Sequence, residues 1–159
     1  MEDKKKFMAK AIELSINSAN TIGGPFGSVI VKDNKIIAEG SNKVTSSNDP
    51  TAHGEIVAIR EACKKLNTFD LSGCDIYTSC EPCPMCLSAI YWSRIDKIYY
   101  ANTREDAEKI DFDDSFIYSF FINFNIKFFW YITYSGNFIS RRRNSCNLTI
   151  RIPIHFFHC

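Results

Sequence analysis

Apolar residues recur with a helical period over residues 3–20, where Phe7, Met8, Ala11, Ile12, Leu14, Ser15 and Ala19 fall on one face. Ile22-Gly23-Gly24-Pro25-Phe26-Gly27 ends that pattern. Two short apolar runs follow, Ser28 to Lys32 and Ile36 to Glu39, separated by the hairpin signal Asp33-Asn34-Lys35. Asn42 to Pro50 is polar and reads as loop. Thr51 is placed to cap a helix from Ala52 to Leu66. Asp75 to Ser79 and Ile95 to Ala101 read as strands, with a helix from Pro84 to Ser93 between them. Thr103 is placed to cap a further helix ending near Ile110. The order α-β-β-α-β-α-β-α predicts an α/β fold in three layers.

Chemistry concentrates in two of these elements. Cys83 and Cys86 flank Pro84 and Met85, and Pro84 is tolerated in the first turn of a helix because its missing N–H would have no partner there. The positive end of that helix favours thiolate over thiol. His53 and Glu55 lie in the first turn of the earlier helix. Two sulfurs and one imidazole suit a borderline tetrahedral ion, zinc first of all, and three protein ligands leave a fourth position for water. Glu55 is badly placed as a fourth ligand and well placed to carry protons. Two blander readings remain open at this level: a C-x-x-C redox pair, and a structural zinc site completed by Cys80.

Composition narrows the class. The chain has 159 residues, enough for one domain with a real core, and a formal net charge of +1 that points to no nucleic acid. Its start, Met1-Glu2-Asp3-Lys4-Lys5-Lys6, is charged rather than an apolar signal segment, and seven cysteines fit a reducing, cytoplasmic compartment. The total hides a break. Residues 1–114 carry 14 Lys and Arg against 18 Asp and Glu (net −4), whereas residues 115–159 carry five basic residues and no acid. Eleven of the 22 aromatic residues fall between Phe116 and Phe138.

The H-x-E pattern of His53-Gly54-Glu55, followed by Pro82-Cys83-Pro84-Met85-Cys86, resembles the cytidine-deaminase-like family of zinc base deaminases. The resemblance runs from about Ala9 to Tyr118. It implies a three-layer α/β/α fold around a central mixed sheet and one zinc per chain held by His53, Cys83 and Cys86. Glu55 would move protons for a zinc-activated water. Gly54 departs from the usual alanine of that position and keeps an N–H that can meet a substrate carbonyl. Within the family, Gly23-Gly24-Pro25-Phe26-Gly27, Asn42, Ser47 to His53, Ala89 to Trp92 and Asp111 to Tyr118 look like bacterial guanine deaminases. That resemblance implies a small purine base as partner, with Phe26 stacking on the ring, Asn42 bonding it and Asp114 accepting from its N–H groups. It also implies a homodimer, and turnover of guanine to xanthine and ammonia. Cytosine or the adenosine of a tRNA is the alternative within the family, although residues 1–114 lack the basic stripe a tRNA would need.

The resemblance stops after Tyr118. Residues 119–159 are therefore expected to form a poorly ordered tail behind a deaminase domain at 1–118. A membrane helix at 116–139 is opposed by Asn123, Asn125 and Lys127. A terminal metal site at His155, His158 and Cys159 is a weaker reading. A genuine variant ending with its own packing is opposed by eleven aromatic residues without a clear period, whereas a change of reading frame near residue 119 accounts for the loss of acids and leaves a second class of function open, an inactive zinc-binding remnant.

Overall fold

The computed structural model describes residues 2–21, 23–123 and 148–151. The chain runs α1 (Glu2–Ala19), β1 (Gly27–Lys32), β2 (Lys35–Ser41), α2 (Val44–Ser47), α3 (Gly54–Leu66), β3 (Cys74–Cys80), α4 (Pro84–Trp92), β4 (Lys97–Asn102), α5 (Arg104–Glu108), α6 (Ser115–Asn123) and β5 (Leu148–Arg151). The strands form one mixed sheet in the order β2-β1-β3-β4-β5. β1 is antiparallel to both β2 and β3, β3 is parallel to β4, and β4 is antiparallel to β5.

Alternation along the strands builds two cores, one on each face. Ile30, Ile76 and Ile98 pack against Ala58 and Ala62 of α3 and Ile90 of α4. Val29, Val31, Tyr77 and Tyr99 pack against Phe7, Met8 and Ala11 of α1. This is the expected α/β/α sandwich around a mixed sheet. β1 and β3 are buried on both faces because each is covered by helices above and below. The β1–β2 hairpin closes through Asp33 (φ 49°) and Asn34 (φ 60°), both left-handed, as a two-residue turn between twisted strands requires.

Four details differ from expectation. The buried stripe of α1 is shifted, since Ile12 and Ala19 are exposed and Ser18 is buried beside the expected Ser15. The polar stretch after Asn42 contains the short helix α2. Thr51 does not cap α3. The cap position is His53, and Thr51 instead donates its N–H and hydroxyl to Asp49. The edge of β4 is paired by β5, which lies within the stretch expected to be a poorly ordered tail. Thr149 and Ile150 are β-branched and suit a strand at that edge.

The expected division after residue 118 lies within α6. Expectations for residues 124–147 and for His155, His158 and Cys159 fall outside the described residues. Among the described residues no helix is long and apolar enough to cross a membrane.

Candidate active site

α3 and α4 both begin at the same end of the sheet. His53 is the N-cap of α3 and Cys83 the N-cap of α4, both with extended backbone, and Pro84 opens α4. Neither cap uses its side chain to satisfy its own helix, so the imidazole and the thiol are free to face one another. Cys86 follows one turn into α4 and is fully buried.

The His53 Nδ1 lies 3.6 Å from the Sγ of both Cys83 and Cys86. Zinc–sulfur bonds of about 2.3 Å and zinc–nitrogen bonds of about 2.0–2.1 Å set a tetrahedral edge of roughly 3.6 Å, so the spacing fits one shared ion. Among the described residues, His53, Cys83 and Cys86 are the group of three able to hold a metal. Cys80 does not join them. It ends β3, its Sγ donates to the Thr103 carbonyl at 3.5 Å, and burial pushes its thiol up to about 12. The structural-zinc reading therefore loses its fourth ligand, and the redox reading does not account for His53.

Electrostatics point the same way. The Cys86 thiol and the His53 imidazole hold the Cys83 thiol down at about 4. The charge on Cys83, with burial, then pushes Cys86 far above the usual thiol range. Cys83 in turn raises His53. Two neighbouring sulfurs cannot both ionise without a cation between them. A bound divalent ion removes that conflict.

Glu55 is buried (6% exposed), and burial raises its carboxyl above the usual range. Its Oε2 accepts from the Cys86 thiol at 3.4 Å and its Oε1 from the Thr78 hydroxyl at 3.4 Å. Thr78 went unnoticed in the sequence. Only the strand register, which aims it at the first turn of α3, identifies it.

The residues expected to bind substrate gather beside this cluster. The Phe26 carbonyl accepts from the Asn42 N–H at 3.0 Å. The Asn42 Oδ1 accepts from the Val44 N–H at 3.1 Å, which leaves its amide N–H groups to donate elsewhere. Gly54 lies against the same stretch: a Cβ there would stand 3.1 Å from the Phe26 carbonyl oxygen. As the first residue of α3 its N–H has no partner within the helix. Asp114 precedes α6, partly buried, and burial together with the nearby Cys83 raises its carboxyl. Phe112, also not foreseen, meets Phe26 edge to face at 4.8 Å and 88°.

The loop before α4 is tied down from three sides. The Glu81 N–H donates to Asn102 at 2.8 Å, and Glu81 Oε2 accepts from the Arg104 N–H at 3.2 Å. The Tyr118 hydroxyl donates to the Pro82 carbonyl at 2.9 Å, with Arg104 over its ring at 4.7 Å. In the sequence Tyr118 was read only as the end of a resemblance.

The pattern that describes the cytidine and deoxycytidylate deaminase zinc-binding region matches residues 1–102. Guanine deaminase of Bacillus subtilis is 59% identical over 113 residues, covering 70% of this chain and 72% of that protein. An X-ray structure of guanine deaminase from the same organism superposes with a TM-score of 0.71 at 58% identity, covering 72% of this chain and 74% of that one. A tRNA-specific adenosine deaminase of Aquifex aeolicus is 48% identical over 77 residues, 48% of this chain and 51% of that protein.

Proposed function

Because this chain belongs to the cytidine and deoxycytidylate deaminase zinc-binding family and is a zinc-dependent deaminase, we propose that it hydrolyses guanine to xanthine and ammonia. The observation that carries the substrate is the identity to a guanine deaminase, 59% over 113 residues against 48% over 77 for a tRNA-specific adenosine deaminase. The site supports the same choice. Asp114 lies near Cys83, and the neighbouring exposed Asp111 and Asp113 add negative charge to the same segment, which disfavours a phosphate backbone there.

In this reading His53, Cys83 and Cys86 hold the zinc. When bound, zinc supplies a water that ionises near neutral pH. Phe26 and Phe112 receive the flat purine, the Asn42 amide and the Gly54 N–H donate to its carbonyl, and Asp114 accepts from its N–H groups. Glu55 takes a proton from the attacking water, whose oxygen bonds C2 of the base. Glu55 gives that proton to the ring nitrogen, then takes the second proton from the new C2 hydroxyl and gives it to the departing amine, so that the C2–N bond breaks, the C2 carbonyl forms and ammonia leaves. Burial keeps bulk water from competing for those protons.

In this reading the deaminase domain is residues 1–118, and residues 119–159 are a tail written by a shifted reading frame, a genuine variant ending being the alternative. A cytoplasmic homodimer is the assembly this reading implies. The free thiols of Cys63, Cys74 and Cys80 fit that compartment, and the exposed Met85 and Trp92 on α4 fit a partner surface.

The test is turnover. Purified protein mixed with guanine should release xanthine, followed by absorbance, and Glu55→Gln should keep its zinc while losing about 10²–10⁴-fold in rate. Turnover of cytosine or tRNA adenosine without guanine would sink the substrate assignment. Zinc at full occupancy with no turnover of any base would identify the remnant instead.

A further inference from the structure

Asp49 gathers the bonds of the segment that delivers His53 to α3. Its Oδ1 accepts the Thr51 N–H at 2.8 Å and the Thr51 hydroxyl at 2.6 Å. Its Oδ2 accepts from Arg60 Nη1 at 3.2 Å, and Arg60 Nη2 donates to the Thr51 hydroxyl oxygen at 3.2 Å. The backbone follows the same path. The Asp49 carbonyl accepts the Ala52 N–H at 3.0 Å, and the Thr51 carbonyl accepts the His53 N–H at 2.8 Å. Arg60 stands two turns along the helix that His53 opens. The bonds therefore form a closed circuit, from α3 through Arg60, Asp49 and Thr51 to His53 and back to α3. His53 makes no side-chain bond to its own helix, because its ring faces the cysteines. Its placement therefore depends on how the preceding backbone is held.

We propose that Asp49 is a positioning residue for the zinc ligand His53, acting through Thr51 and braced by Arg60. Groups that orient a ligand from outside the ligand set govern metal affinity. The inference rests on His53 as a ligand. The molecule carries its own control at the other end of α3. There Asp70 accepts the Ser72 N–H at 2.9 Å, the Ser72 hydroxyl, and Arg94 at 2.7 Å. The two aspartate side chains are exposed alike, at 35% and 33%. The chemistry of the two turns is matched, and only the turn at Asp49 leads to a metal ligand.

The full chain is titrated with zinc against a competing chelator, as parent, Asp49→Ala, Asp49→Asn, Arg60→Met and Asp70→Ala. Expected for Asp49→Ala is a zinc affinity lower by about 10- to 100-fold. Asp49→Asn keeps an acceptor oxygen for Thr51 and should recover most of that loss. Arg60→Met cuts only the tie back to α3, at an exposed position, and should weaken zinc by a smaller factor. Asp70→Ala should keep the parent's affinity. Melting with zinc and with chelator supplies a second readout. Asp49→Ala should lower Tm more in the zinc-loaded chain, because it weakens binding to the folded state, whereas Asp70→Ala should lower both alike. Equal shifts for Asp49→Ala, or an unchanged affinity in a parent that binds zinc, would reduce Asp49 to a turn-former and overturn this inference alone. A loss as large in Asp49→Asn as in Asp49→Ala would deny the route through Thr51. If Asp49→Ala does not fold, Arg60→Met decides, and parental affinity there overturns the proposal. A parent that takes up no zinc overturns the inference and the ligand assignment together. None of these readouts uses guanine, so they stand apart from the choice of substrate.

Discussion

The two walls of the site are built in opposite ways. On the metal side, Cys80, Glu81 and Pro82 are each bonded to a different neighbour, Thr103, Asn102 and Arg104, or Tyr118. On the side proposed to receive the base, Phe26 and Asp114 are only partly buried and Phe112 is 45% exposed; their backbones are bonded to near neighbours, and their rings meet in an aromatic edge contact. A tetrahedral ion tolerates little error in ligand position, so its wall is fixed through backbone groups. A flat base, the proposed occupant of the other wall, tolerates more, and that wall presents side chains that can be exchanged. The contrast separates the chemistry of deamination from the choice of what is deaminated.

Three substitutions test that contrast, in falling order of effect. Cys83→Ser strikes the ion directly. Elemental analysis should find close to one zinc per chain in the parent and close to none in the variant, since a neutral hydroxyl replaces a thiolate. Full zinc in the variant would remove Cys83 from the ligand set. Tyr118→Phe leaves all ligands in place and cuts one tie to the loop. Support of this kind is typically worth about 10- to 100-fold in metal affinity. Competition with a chelator measures it, and an affinity equal to the parent's would mean that the loop holds itself. Phe112→Ala touches only the base side. An edge-to-face pair contributes about 0.5–1.5 kcal/mol, so KM for guanine should rise roughly 2- to 10-fold with zinc content unchanged. A loss of zinc there would show that the two walls are not independent.

The same division explains what was legible in the sequence. Helices, strands and the cluster of His53, Cys83 and Cys86 follow from local spacing. Pro84 marks the start of α4, and Thr103 with Asp106 forms the capping box of α5. Thr78 could not be found that way, because its meaning depends on which strand lies opposite and in which register. Tyr118 and Phe112 depend on where a distant segment returns to the sheet. Thr51 looked like a cap, but Asp49 offered its hydroxyl a nearer acceptor, and His53 took the cap position with its ring turned to the cysteines. Local rules yielded at the metal site, where the chain gives up a side-chain cap to present a ligand.

Gly40 carries none of this chemistry, yet α3 rests on it. The Gly54 carbonyl oxygen and the Ala58 backbone nitrogen stand where its side chain would be. Any larger residue would act as a wedge under one end of a lever, tipping α3 and moving His53 and Glu55 off their marks. In a genetic screen for lost activity, Gly40 would score beside the ligands themselves. A map of essential positions would thus record a pivot as though it were a reactant.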